Sequence, residues 1–203
     1  IKRKIKKGTS MTFYHASNTA NIKTLEPRVS NHNTPLIYFS DKRENVLVYL
    51  SNAVEKLCKE EKFDYSGVWS KWGSYGFEKD GRLRFEEYYP NALKDTYKGV
   101  QGYIYMCEKI DPYDEIDIQI PNAYVSAKNT VVDSCEYVAD AYKELLEAER
   151  TGKIVIARYK DFISSESRKE WLHKTIVEQY NSSEDHPEYR FFLKKKFSDI
   201  LKN

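Results

Sequence analysis

LIYFSDKRENVLVYL, residues 36–50, begins as an apolar, aromatic run and changes to a helical pattern halfway along. Residues 36–39 read as a strand, and Ser40 or Asp41 is placed to cap a helix. Val46, Leu47, Leu50, Ala53, Val54 and Leu57 then recur at the spacing of one apolar helical stripe ending near Cys58. Two tyrosines stand where plain aliphatic residues would serve: Tyr38 in the strand and Tyr49 in the helix. In FYHAS, residues 13–17, His15 sits in a second short apolar strand. Three polar-tipped rings in two short segments point to a pocket.

Outward from this core, NTANIKTLEPR reads as a turn or short helix, and SNHNTP at 30–35 as a loop. Residues 63–99 alternate aromatics with Gly, Ser and charge, with a turn at KDG and a strand in RLRFEEYY. GYIYMCEKI is the cleanest strand, NAYVS (122–126) and NTVVDSCEYV are extended, and a helix from about Asp140 buries Tyr142, Leu145 and Leu146 before stopping at Gly152. KIVIARY is another strand. The tail is helical, with Ser167 and Glu170 spaced as a capping box before Trp171 and Pro187 in a first turn. The pattern predicts a single α+β domain over 11–203, with an aromatic insert at 63–99 and a helical tail at 163–203. Residues 1–10 read as a tag, leader or disordered basic arm.

Composition excludes several classes. Of 203 residues, 40% are hydrophobic and 32% charged, which is ordinary for a folded soluble chain and too apolar for a disordered one. No long apolar run is present to span a membrane or open a secretory signal, so a cytoplasmic location without membrane partners is expected. Five cations (Lys2, Arg3, Lys4, Lys6, Lys7) fall in the first ten residues, so the formal charge of +2 turns slightly negative over the remainder. Cys58, Cys107 and Cys135 are widely spaced and without C-x-x-C, reading as reduced thiols rather than a metal or disulfide framework. The phosphate-loop, dinucleotide-fold, zinc-protease and lipase motifs are absent.

FYHAS, a loop, and then IYFSDKRENVLVYL together resemble the ADP-ribosyltransferase superfamily, including poly(ADP-ribose) polymerases and rifampin-modifying transferases. Those families carry His-Gly-Ser or His-Gly-Thr on a first strand, an IYF-like strand end, and often a second tyrosine in the next helix; here Tyr38 and Tyr49 are eleven positions apart. The resemblance implies a split, mostly antiparallel β core with flanking helices and NAD as co-substrate. It implies that Tyr38 and Tyr49 sandwich the nicotinamide ring, that the Ala16 backbone bonds the carboxamide beside Ser17, and that His15 holds a ribose hydroxyl. Arg28 would meet the pyrophosphate, since a guanidinium matches paired phosphate oxygens.

The sequence departs from the family at two places. Ala16 replaces the usual glycine, and Ala123 stands in NAYVS where a glutamate is expected. Glu136 in SCEYV offers a similar context, with Asp117 and Asp133 on nearby segments, so His15, Tyr38 and Glu136 are the candidate catalytic set. The acceptor of ADP-ribose, whether protein, small molecule or nucleic acid, is left open. The insert (Tyr65, Trp69, Trp72, Tyr75, Phe77, Tyr88, Tyr89) reads either as a hairpin lid burying its tryptophans or as an acceptor wall, with Arg82 and Arg84 supplying positive charge. Two other readings stand beside the transferase: an NAD-consuming RNA 2′-phosphotransferase and a non-catalytic nucleotide-binding module.

Overall fold

A computed structural model of the chain describes residues 11–29, 34–65, 72–115 and 119–202. The basic arm at 1–10, most of the SNHNTP turn, Trp69 and Asp117 lie outside the described residues. In chain order the elements are β1 (Phe13–Ser17), β2 (Thr24–Leu25), β3 (Arg28–Val29), β4 (Pro35–Ser40), α1 (Arg43–Val46), a 3-10 turn (Leu47–Leu50), α2 (Ala53–Glu60), β5 (Tyr75–Phe77) and β6 (Leu83–Glu86). They continue as α3 (Ala92–Tyr97), β7 (Gly102–Cys107), β8 (Ala123–Ser126), β9 (Thr130–Val131), β10 (Ser134–Val138), α4 (Ala141–Arg150), β11 (Ile154–Ala157), α5 (Tyr159–Phe162), α6 (Glu166–Asn181) and α7 (Pro187–Lys196). Helices and mostly antiparallel strands make this an α+β chain.

The main sheet runs β10-β7-β1-β4-β3, with β8 also paired to β4. β1 lies antiparallel to β7 along its whole length, from Phe13 opposite Cys107 to Ser17 opposite Tyr103. β7 in turn carries β10, which sets Glu136 opposite Ile104. Against β4, β1 is in register only where Tyr14 faces Ser40, and past that pair the two strands part. Side chains alternate across a sheet, so Tyr14, Ala16, Tyr38, Ser40, Ile104 and Glu136 share one face, while His15, Phe39 and Tyr105 share the other.

The first face is covered by the 3-10 turn and α4, through Leu47, Leu50, Ile104 and Leu145, all inaccessible to solvent. Gly102 makes that contact possible: a Cβ there would lie 2.5 Å from Leu50 Cδ2 and 3.1 Å from the Ser17 carbonyl oxygen. The second face buries Phe13, Ile37, Phe39, Tyr105 and Cys107.

A smaller sheet, β11-β6-β5, pairs β5 and β6 as a hairpin and β6 with β11 in parallel. The hairpin turns through Gly81 at φ 84°, within the KDG turn expected from the sequence. Glu87, just past β6, is buried because its carboxylate accepts the backbone N–H of Leu93 at 3.1 Å and of Tyr159 at 3.2 Å. A separate core gathers α2, Trp72, Tyr89, Phe162, α6 and α7, so the aromatic insert is packed against the helical tail.

Some local expectations give way to longer-range contacts. The stripe read as one helix is broken at Ser51, which is extended (ψ 137°) and whose hydroxyl donates to the Trp72 carbonyl. Of the two alternatives for residues 18–28 the turn holds, as bends that lead into the short β2 and the start of β3 at Arg28. α6 starts earlier than the capping box predicts: Ser165 is the N-cap and its carbonyl accepts from Arg168 and Lys169, which puts Ser167 inside the helix. Asp140 caps α4 by accepting the N–H of Tyr142 and Lys143, and Pro187 opens α7, both as the sequence indicates.

Candidate functional site

The parting of β1 from β4 brings His15, Ala16 and Tyr38 to one place. His15 Nδ1 lies 2.9 Å from the Tyr38 carbonyl oxygen. A carbonyl can only accept, so Nδ1 carries the proton in this arrangement. The imidazole packs edge-on to Phe39, at 6.0 Å between ring centres. His15 thus reaches Tyr38 by its backbone, from the sheet face opposite the Tyr38 side chain. The pocket expected from three rings is therefore divided: the two tyrosines lie on one side of the sheet and the histidine bridges the gap from the other.

On the tyrosine side a third ring joins. Tyr49, in the 3-10 turn, meets Tyr75 of β5 edge to face, with centres 5.9 Å apart and planes at 85°. The phenols of Tyr49 and Tyr75 lie side by side, and Tyr38 is close enough to act electrostatically on both. Burial pushes the phenols of Tyr49 and Tyr75 above the ordinary range, and the neighbouring phenol adds to the effect at Tyr49. Below them, the fully buried Tyr97 donates to the Val48 carbonyl at 3.0 Å and is also raised by burial. Ala16 is itself buried and pairs with Ile104 of β7, two residues past the Tyr14–Ser40 pair, with the hydroxyl of Ser17 beside it accepting the Thr19 N–H. Arg28 is exposed on β3 opposite Leu36, which places it on the Tyr38 face.

Glu136 lies two strands from Ala16, about 10 Å across the ladder, on the same face. Arg43 binds it through both oxygens: Nε donates at 2.9 Å and Nη2 to the other oxygen, while Nη2 also reaches Glu144 at 3.0 Å. The bond to Glu136 raises the guanidinium pKa despite partial burial, so Arg43 is a fixed cation. Ala123 faces Ser40 on the far side of β4. Asp133 accepts the Glu108 N–H at 2.7 Å and so tucks a turn.

In the insert, Trp72 is buried among Tyr89, Phe192 and Phe197, which is the lid-like reading of this segment. Arg82 pairs with Asp80, and Arg84 with Glu78 and Glu86, so their charge is already balanced. Among the described residues no group of three or more His, Cys, Asp or Glu is arranged to hold a metal ion, and no helix is long and apolar enough to cross a membrane.

Sequence reasoning missed Arg43 and Glu144. Tyr75 reads from the sequence only as part of the insert, although the dense aromatic run around it is the signal that could draw it into the site. No family model, curated protein or solved structure matches the chain.

Proposed function

We propose that the chain is an NAD-dependent ADP-ribosyltransferase-like protein that cleaves the nicotinamide–ribose bond and passes ADP-ribose to an acceptor. The supporting observation is that β1 and β4 share a single register pair, Tyr14 with Ser40, and that the Tyr38 side chain and the 3-10 turn carrying Tyr49 lie on the same face of the sheet as Ala16. Two phenol rings hold a planar heterocycle by stacking and area burial, and a strand edge without a ladder partner offers N–H and C=O to a carboxamide. In NAD the nicotinamide is already cationic. When its bond to ribose breaks, the electron pair leaves with the ring as neutral nicotinamide, and an oxocarbenium-like ribose remains for an acceptor that gives up a proton. The protein's task is to orient the ribose and balance that charge, for which the Glu136 carboxylate is suited.

The test is nicotinamide release from NAD, followed by chromatography, with NAD affinity measured by calorimetry in wild type and Tyr38→Ala. Release that vanishes in Tyr38→Ala is the expected result. A wild-type protein that neither releases nicotinamide nor binds NAD would overturn the reading.

A non-catalytic nucleotide-binding module is the second reading, favoured by the occupation of both Glu136 oxygens by Arg43 and by Ala123 at the position where a glutamate is expected. Tight NAD binding without release selects it. The RNA 2′-phosphotransferase draws no support from Arg82 and Arg84, whose carboxylate partners leave little charge to grip a phosphorylated end.

A further inference from the structure

Tyr75 belongs to the smaller sheet, yet its ring meets Tyr49 in the 3-10 turn that covers the main one. Its strand is fixed on several sides. Tyr75 stands opposite Phe85, whose inaccessible ring packs edge-on to Tyr97 at 5.6 Å. Upstream, the Ser51 hydroxyl holds the Trp72 carbonyl and the Ser74 hydroxyl holds the Glu86 carbonyl. Gly73 between them admits the Tyr97 hydroxyl, since a Cβ there would sit 3.3 Å from it. Trp72 is itself seated on Phe192 of α7 and on Phe197, at 5.3 and 5.5 Å. Phe77 braces Tyr75 from the other end, edge-on at 6.2 Å.

A tyrosine ring in a binding site loses affinity for every orientation it can adopt besides the one that stacks. Tyr49 is held by the perpendicular ring of Tyr75, whose phenol also acts on the Tyr49 phenol. A phenylalanine at 75 would keep the ring contact and remove the neighbouring phenol.

We propose that Tyr75 is a positioning residue of the nucleotide slot, fixing the plane in which Tyr49 presents its face to an incoming planar ring, and that Trp72 ties this setting to α7. The inference rests on the nucleotide-binding reading above and adds to it that the slot is completed by the smaller sheet and the tail.

The experiment compares wild type, Tyr75→Phe and Tyr75→Ala by calorimetry with NAD, and by ζ-carbon NMR of isotopically labelled tyrosine, with the Tyr49 signal assigned by its loss in Tyr49→Phe. In Tyr75→Phe the unfolding midpoint stays near that of wild type, Tyr49 ionises at lower pH, and NAD binds about two- to tenfold more weakly. Tyr75→Ala weakens it further. An unchanged Tyr49 titration in Tyr75→Phe, or wild-type NAD affinity in Tyr75→Ala, overturns the role of Tyr75 and leaves the slot itself standing. Failure of the wild type to bind NAD overturns the functional reading and this inference together.

Discussion

Arg43 grips both carboxylate oxygens of Glu136 and extends the same nitrogen to Glu144, so one guanidinium serves two acids on different elements. Removing it leaves two carboxylates facing each other. With the Arg43 and Glu136 side chains 25% and 40% exposed, solvent screens much of that repulsion, and Arg43→Ala is expected to cost about 1–2 kcal/mol in urea denaturation. Glu136→Gln costs less, yet on the transferase reading it lowers nicotinamide release about a hundredfold or more with NAD affinity retained. Release unaffected in Glu136→Gln removes that carboxylate from the chemistry.

Gly102→Ala is expected to destabilise by about 1–3 kcal/mol, because the new methyl meets Leu50 and the Ser17 carbonyl oxygen. Gly76→Ala is the control, with nothing within 4 Å of the added carbon. Chemical denaturation of the pair gives the comparison, and equal stabilities would contradict the close approach of the 3-10 turn to β7.

Phe192 is fully buried against Trp72. Phe192→Ala should cost about 3–5 kcal/mol and dim the near-ultraviolet circular dichroism of tryptophan, while Phe192→Leu should cost less. A mild loss in Phe192→Ala would mean that the insert stands without the tail.

Alkaline pH should unfold the protein in a particular order. Tyr49, Tyr75 and Tyr97 are raised in the fold chiefly by burial, so the unfolded chain releases these protons first. Their contribution to stability is complete below pH ~10 and is lost as pH rises through their folded values. Tyr180 differs: Lys194 and Arg190 beside it lower its pKa, and it should ionise before any unfolding. Phenolate absorbance followed together with far-ultraviolet circular dichroism should show an early step without loss of structure and a later one coincident with it. One smooth step preceding unfolding would contradict the burial of the tyrosine cluster.

The strands were legible because their signals are local. FYHAS is β1, and LIYF lies within β4. The single helix expected across 41–58 was not, because its break depends on Ser51 reaching Trp72, 21 positions away. Within the site, the spacing of Tyr38 and Tyr49 could be read directly. The separation of His15 from their face follows from the Tyr14–Ser40 register, which no local pattern encodes. The pairing of Arg43 with Glu136 spans 93 positions and exists only because β10 is brought beside β7.

The joining of the smaller sheet to the tail also sets a timetable for synthesis. Glu87 waits for Tyr159, 72 positions later, and Glu61 at the end of α2 waits for Lys195, 134 positions later. Until α7 has left the ribosome, Trp72 and the apolar side of α2 lack the cover of Phe192, Leu193 and Phe197, and contacts of such long range form slowly. A nascent chain halted before α7 is therefore expected to be a chaperone client that presents these surfaces, rather than a smaller folded protein.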